Sequence, residues 1–216
     1  MRRSGGAALT VALAALAAFA ALKTSAQSLR GPEPLDSPVT FFIGDGAPAT
    51  GFRPEDRQLA RWALEAWQRA AGGALELAAA EAENDATVRV YWVPANAGLY
   101  GEMRPVRLPD GRRGAEVFIR PDLDALGPDI AALARNDPLL RDTIVYLTCL
   151  HEIGHALGLT HTADFEDVMY FFGFGGDIPR FFGRYRERLG TRDDIAREAG
   201  LSSGDLAQLR RLYPLP

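Results

Sequence analysis

The stretch His151–His161, H-E-I-G-H-A-L-G-L-T-H, constrains this chain more than any other part of it. His151 and His155 are four residues apart, so a helix places them one turn apart on one face, where both can offer a ring nitrogen to one metal ion. Glu152 is rotated about 100° from His151, close enough to reach a water at that metal without being a ligand. Gly158 can take a positive φ and end the helix, and the chain can then bring His161 back as a third ligand. Three neutral nitrogens with one open position are the arrangement of a catalytic zinc, whereas a structural zinc is closed by four protein ligands. The chain has three histidines, and all lie in this stretch.

The motif H-E-x-x-H-x-x-G-x-x-H is followed by Met169, in Asp167-Val168-Met169-Tyr170. These residues resemble the metzincin clan of zinc endopeptidases, whose signature is this motif and a methionine turn. G-L-x-H followed by a V-M-Y turn is most similar to the matrixins. The resemblance implies an α+β catalytic domain: a twisted mixed sheet, two long helices of which one carries the active site, a Met-turn and a C-terminal helix. It implies that Met169 lies beneath the histidines as a hydrophobic floor and is not a ligand. In clan members with a zinc-ligating tyrosine, that residue comes two positions after the methionine. Tyr170 follows Met169 directly, so it reads as wall or floor of a specificity pocket. Phe171 stands where matrixins commonly have proline.

The resemblance also implies that Gly98–Arg107 is an edge strand above the metal, with Gly98, Leu99, Tyr100 and Gly101 binding an extended substrate. The physics is strand addition, in which a peptide bonds to a free sheet edge. Read from its residues alone, the same stretch is a glycine-rich loop before a hairpin at Pro109-Asp110-Gly111, and both readings stay open. In the family, acidic loops can bind structural calcium, for which Asp122, Asp124 and Asp129 are candidates beside the plainer reading of solvated loop aspartates.

Residues 1–26 have the layout of a secretory signal. Arg2 and Arg3 supply the positive end, Ala7–Leu22 is apolar but short for a membrane span, and Thr24-Ser25-Ala26 offers small residues for cleavage after Ala26. Export to the periplasm or the extracellular space is expected, with an uncleaved anchor as the alternative. Residues 27–38 read as a Pro-rich linker, too short for a folded prodomain, and 39–216 as the catalytic domain, divided into an upper part of about 39–160 and a lower part of about 161–216. Cys149 is the one cysteine, so no internal disulfide and no prodomain cysteine capping the zinc are expected. Lying about 200° round the helix from His151, it should face the core.

Alternating apolar residues predict strands over Val39–Gly44, Leu75–Ala79, Thr87–Val93 and Ala115–Arg120. Helical spacing predicts Pro54–Ala71, the active-site helix Leu139–Leu157, and a final helix with Leu206, Leu209, Leu212 and Tyr213 on its apolar face after the capping-box sequence Ser202–Asp205. Pro121–Pro138 reads as an acidic loop. Phe171–Gly200 is longer than the family resemblance leads one to expect. It reads as a small helical insert packing its aromatics inward, as a specificity loop, or as a membrane-surface or partner contact.

A formal net charge of −4 gives no support to nucleic-acid binding, which needs clustered positive charge. The expected function is that of an exported, monomeric zinc endopeptidase. It would cleave protein or peptide substrates with Glu152 as general base and one catalytic zinc on His151, His155 and His161. A zinc hydrolase acting on cell-wall peptide and a catalytically silent metal-containing binding module are the alternatives. The intact Glu152 speaks against the silent module.

Overall fold

The structure is a computed structural model that describes residues 33–95 and 100–215, so the 1–26 segment, Gly98 and Leu99 lie outside the described residues. Val39, Phe41 and Ile43 point one way along β1 (Val39–Ile43) and are buried, as are Val88, Val90 and Trp92 of β3 (Val88–Trp92). With β2 (Leu77–Ala79), β4 (Gly101–Arg107) and β5 (Arg113–Ile119) they form one five-stranded sheet in the order β2-β1-β3-β5-β4. The first three ladders are parallel and β4 runs antiparallel to β5, so β4 is an edge strand with its outer backbone groups free of the sheet. This is an α+β domain, as the resemblance implies. Both readings of 98–107 hold in part: the edge strand is present, and it turns through the hairpin at Pro109–Gly111, where the Gly111 N–H donates to the Leu108 carbonyl at 2.9 Å.

The two long helices, α1 (Asp56–Ala70) and α3 (Pro138–Ala156), pack on each other. The Trp67 indole N–H donates to the Leu150 carbonyl at 2.9 Å, so a core tryptophan joins them with its polar atom satisfied. Helix α1 starts two residues later than its proline suggests, because the Asp56 carboxylate accepts the Arg53 N–H at 2.9 Å and draws that stretch into a turn. The same carboxylate takes both guanidinium ends of Arg141 on α3, with Nη2 at 2.8 Å, and Nη2 also donates to the Gly51 carbonyl at 3.1 Å. Asp137 caps α3 by accepting the Leu139 and Leu140 N–H groups at 3.0 and 3.1 Å. Cys149 is buried in the core, as its helical position demands.

Two stretches differ from the sequence reading or settle it. Pro121–Pro138 is not all loop, since α2 (Pro128–Asn136) starts on Pro128 and buries Ile130, Ala131 and Ala134, a short apolar stripe hidden by the flanking aspartates. Asp122 accepts the Asp124 N–H, and Asp124 pairs with Arg135 at 2.7 Å. The Phe171–Gly200 insert holds α4 (Ile178–Arg186), capped by Asp177, which turns Phe181, Phe182 and Tyr185 inward. The final helix α5 (Ser203–Leu212) carries the expected capping box, and Tyr213 follows it. The Tyr213 hydroxyl accepts the Leu35 N–H at 2.9 Å and donates to the Leu157 carbonyl at 3.0 Å, fixing the end of α3. Among the described residues no helix is long and apolar enough to cross a membrane.

The Asp56–Arg141 pair is buried on both sides. Asp56→Ala takes from the buried Arg141 guanidinium its main carboxylate partner, leaving Asp142 at 3.5 Å, and is expected to cost about 3 kcal/mol in urea unfolding, whereas joint replacement of Asp56 and Arg141 by apolar residues is expected to cost less.

Candidate metal centre

Helix α3 carries His151, Glu152 and His155 on its last two turns. It stops because Gly158 takes φ 102°, a conformation open to glycine, and because a Cβ there would lie 2.7 Å from the Glu33 carbonyl oxygen. The Leu159 N–H returns to the Gly154 carbonyl at 2.9 Å, and two residues later His161 meets the other two imidazoles.

The three Nε2 atoms converge. His161 Nε2 lies 3.3 Å from that of His151 and 3.1 Å from that of His155. Zinc–nitrogen bonds of about 2.0–2.1 Å at tetrahedral angles put neighbouring ligand atoms about 3.3 Å apart, so the cluster has the size a zinc ion needs. His151 Nδ1 donates to the Val168 carbonyl at 2.7 Å and His155 Nδ1 to the Leu159 carbonyl at 2.9 Å. Those bonds place the protons on Nδ1 and leave the Nε2 lone pairs facing inward, the tautomer a metal ligand requires. Burial, followed by the neighbouring His155, brings His151 down to about 3; burial brings His155 down to about 4 and lowers His161. All three rings are therefore neutral at pH 7 and free to bind a cation. Among the described residues, these histidines are the group of ligand atoms placed to hold one.

Met169 is fully buried below, with its sulfur in the space beside Gly154, 2.6 Å from where a Cβ would stand. The loop from His161 back to it is closed by Thr162 N–H to the Met169 carbonyl at 2.9 Å and Phe171 N–H to the Thr162 carbonyl at 3.1 Å. Asp205 holds the turn from the other side, accepting the Val168 N–H at 2.9 Å, the Met169 N–H at 3.2 Å and the Ser202 N–H at 2.9 Å. The capping-box pattern accounts for the Ser202 bond, but no local pattern announces the two bonds to residues 36 and 37 positions away.

Glu152 is 8% exposed, and burial pushes its carboxyl up to about 8, with Arg120 pulling the other way and Glu102 adding to the rise. It lies under the edge strand. A Cβ on Gly101 would come within 2.6 Å of Glu152 Cγ, so glycine lets β4 pass this close. Arg120, equally buried, reaches Glu102 at 3.5 Å and keeps Nε and Nη1 without partners among the described residues; nothing in its sequence context marks it. Tyr100 is half-buried, with its ring on Phe172 and Phe182. Tyr170 is spent on the fold: its ring packs edge-on to Phe165 and Phe172, and its hydroxyl donates to the Gly175 carbonyl at 2.8 Å. The structure thus brings Gly101 against Glu152, gathers the three histidines, and buries Tyr170.

The model of the matrixin family, Peptidase M10, matches residues 38–174, a span that includes the three histidines, Glu152, Gly101 and Met169 but not Asp205. No curated protein matches the chain.

The raised Glu152 carboxyl has a thermodynamic consequence in the metal-free protein. Its folded pKa of about 8 exceeds the ordinary 4.5, so the folded state holds the proton longer and loses stability as pH rises from 4.5 through 8. Glu152→Gln cannot titrate. In urea unfolding of the metal-free proteins it is expected to be the more stable by a few kcal/mol at pH 8, the gap closing toward pH 4.5.

Proposed function

The chain belongs to the matrixin family, and from that premise we propose that it is an exported zinc-dependent endopeptidase with residues 39–216 as its catalytic domain. The observation that carries the proposal is the convergence of three histidine Nε2 atoms, two of them on the helix that carries the buried Glu152, whose side chain lies against the edge strand at Gly101. His151, His155 and His161 would hold the zinc, with the Val168 and Leu159 carbonyls fixing two of the rings. Bound there, zinc supplies a Lewis acid that polarises the scissile carbonyl and lowers the pKa of water toward about 7.

The protein groups do the rest. The substrate main chain adds to the free edge of β4, which sets the scissile bond over Glu152. Glu152 takes a proton from the attacking water as the new C–O bond forms. It then gives that proton to the amine nitrogen as the C–N bond breaks, so the carboxylate ends as it began. Export is supported by the basic end, apolar run and small-residue cleavage site of residues 1–26.

Glu152→Ala is expected to retain about one zinc per chain by elemental analysis while casein hydrolysis falls by about 10²–10⁴-fold. Wild-type turnover in that variant would remove Glu152 from the mechanism.

A further inference from the structure

One aromatic pair joins the edge strand to the segment after Met169. Tyr100 precedes Gly101, the residue that lies against Glu152, and its ring stacks on Phe172 with centroids 5.8 Å apart. Phe172 follows Phe171, whose ring lies 4.7 Å from that of His161. The edge strand and the segment after Met169 therefore touch through these two rings, one residue from the carboxylate on one side and one residue from a histidine of the cluster on the other. The pair has firm backing. Phe182 meets Tyr100 at 5.7 Å, and Phe181 and Tyr170 hold Phe172 edge-on at 4.8 and 5.6 Å. Phe181 and Phe182 are buried on α4, inside the insert. The Tyr100 hydroxyl is buried without a hydrogen-bond partner among the described residues, a costly seat for a polar atom that the packing of its ring has to offset.

We propose that the Tyr100–Phe172 pair sets substrate specificity by closing the cleft on its side of the three histidines, so that the substrate residue seated there must be glycine, alanine or serine. The inference rests on the endopeptidase reading. A leucine or phenylalanine side chain at that position has to displace a ring already close-packed on three others, and over-filling a packed apolar site is unfavourable. Discrimination between side chains that differ by several methylenes then reaches about tenfold or more.

The test uses the full-length, zinc-loaded protein and two peptide series, in which the residue before or the residue after the scissile bond is varied through Ala, Leu and Phe. In one series, wild type is expected to show kcat/KM at least about tenfold higher for Ala than for Phe. Tyr100→Ala should erase or invert that ratio at the same position, and Phe172→Ala, which opens the pair from the other rim, should do likewise. Tyr100→Phe keeps the ring and should keep the preference. Calorimetric affinities of the same peptides, with each substitution placed in a Glu152→Ala background, read the preference without turnover. If wild type hydrolyses neither peptides nor casein, the endopeptidase reading fails, and the affinity ratios still decide the role of the pair. Equal affinity for Ala and Phe peptides, no binding of either, or a ratio unmoved by both opening substitutions overturns the proposal.

Discussion

The His161 Nε2 atom faces those of His151 and His155 at 3.3 and 3.1 Å, and the rest of the structure serves to keep the three rings there. Lone pairs at that distance repel unless a cation lies among them. The arrangement persists because each constraint acts on the rings from behind. Backbone carbonyls of Val168 and Leu159 hold the Nδ1 protons of His151 and His155, and burial keeps the rings neutral. A set of three nitrogen donors with inward lone pairs suits zinc better than the oxygen-seeking cations calcium and magnesium.

Holding the rings requires holding both the helix that carries two of them and the loop that returns the third. Helix α3 is fixed at its start by Asp137, along its length by Trp67 and the Asp56–Arg141 pair, and at its end by Tyr213. The loop depends on Asp205, which binds two successive backbone N–H groups of the Met-turn from the start of α5. Because Val168 supplies the carbonyl to His151, a buried carboxylate on the last helix is linked through two hydrogen bonds to the orientation of a histidine in the cluster. Burial raises the Asp205 carboxyl, so its charge is sustained by the three N–H groups it accepts.

Much of this was legible in the sequence because it is local. The spacing of His151, Glu152, His155, Gly158 and His161 is a statement about one helix and one turn, and the alternation in Val39–Ile43 and Val88–Trp92 is a statement about one face of a sheet. What escaped is non-local. Arg120 and Asp205 look like ordinary surface residues until the fold brings β4 and the Met-turn against them. Helix α2 was hidden because three small or aliphatic residues among aspartates do not outweigh the loop character of their neighbours. Tyr170, read as wall or floor of a specificity pocket, is buried, and the Gly175 carbonyl of the insert accepts its hydroxyl. In Phe171–Gly200 the inward-packing reading fits α4, while Phe171 and Phe174 remain 42% and 66% exposed.

Coordination of a single ion defines this centre, and X-ray absorption at the zinc edge on protein of measured metal content reads it most directly. One zinc per chain with three imidazole nitrogens and one light non-protein atom at about 2.0–2.1 Å is the expected result. A chain that binds no zinc under saturating conditions, or a spectrum requiring a sulfur ligand at about 2.3 Å or a fourth protein ligand, would contradict a catalytic centre built on His151, His155 and His161.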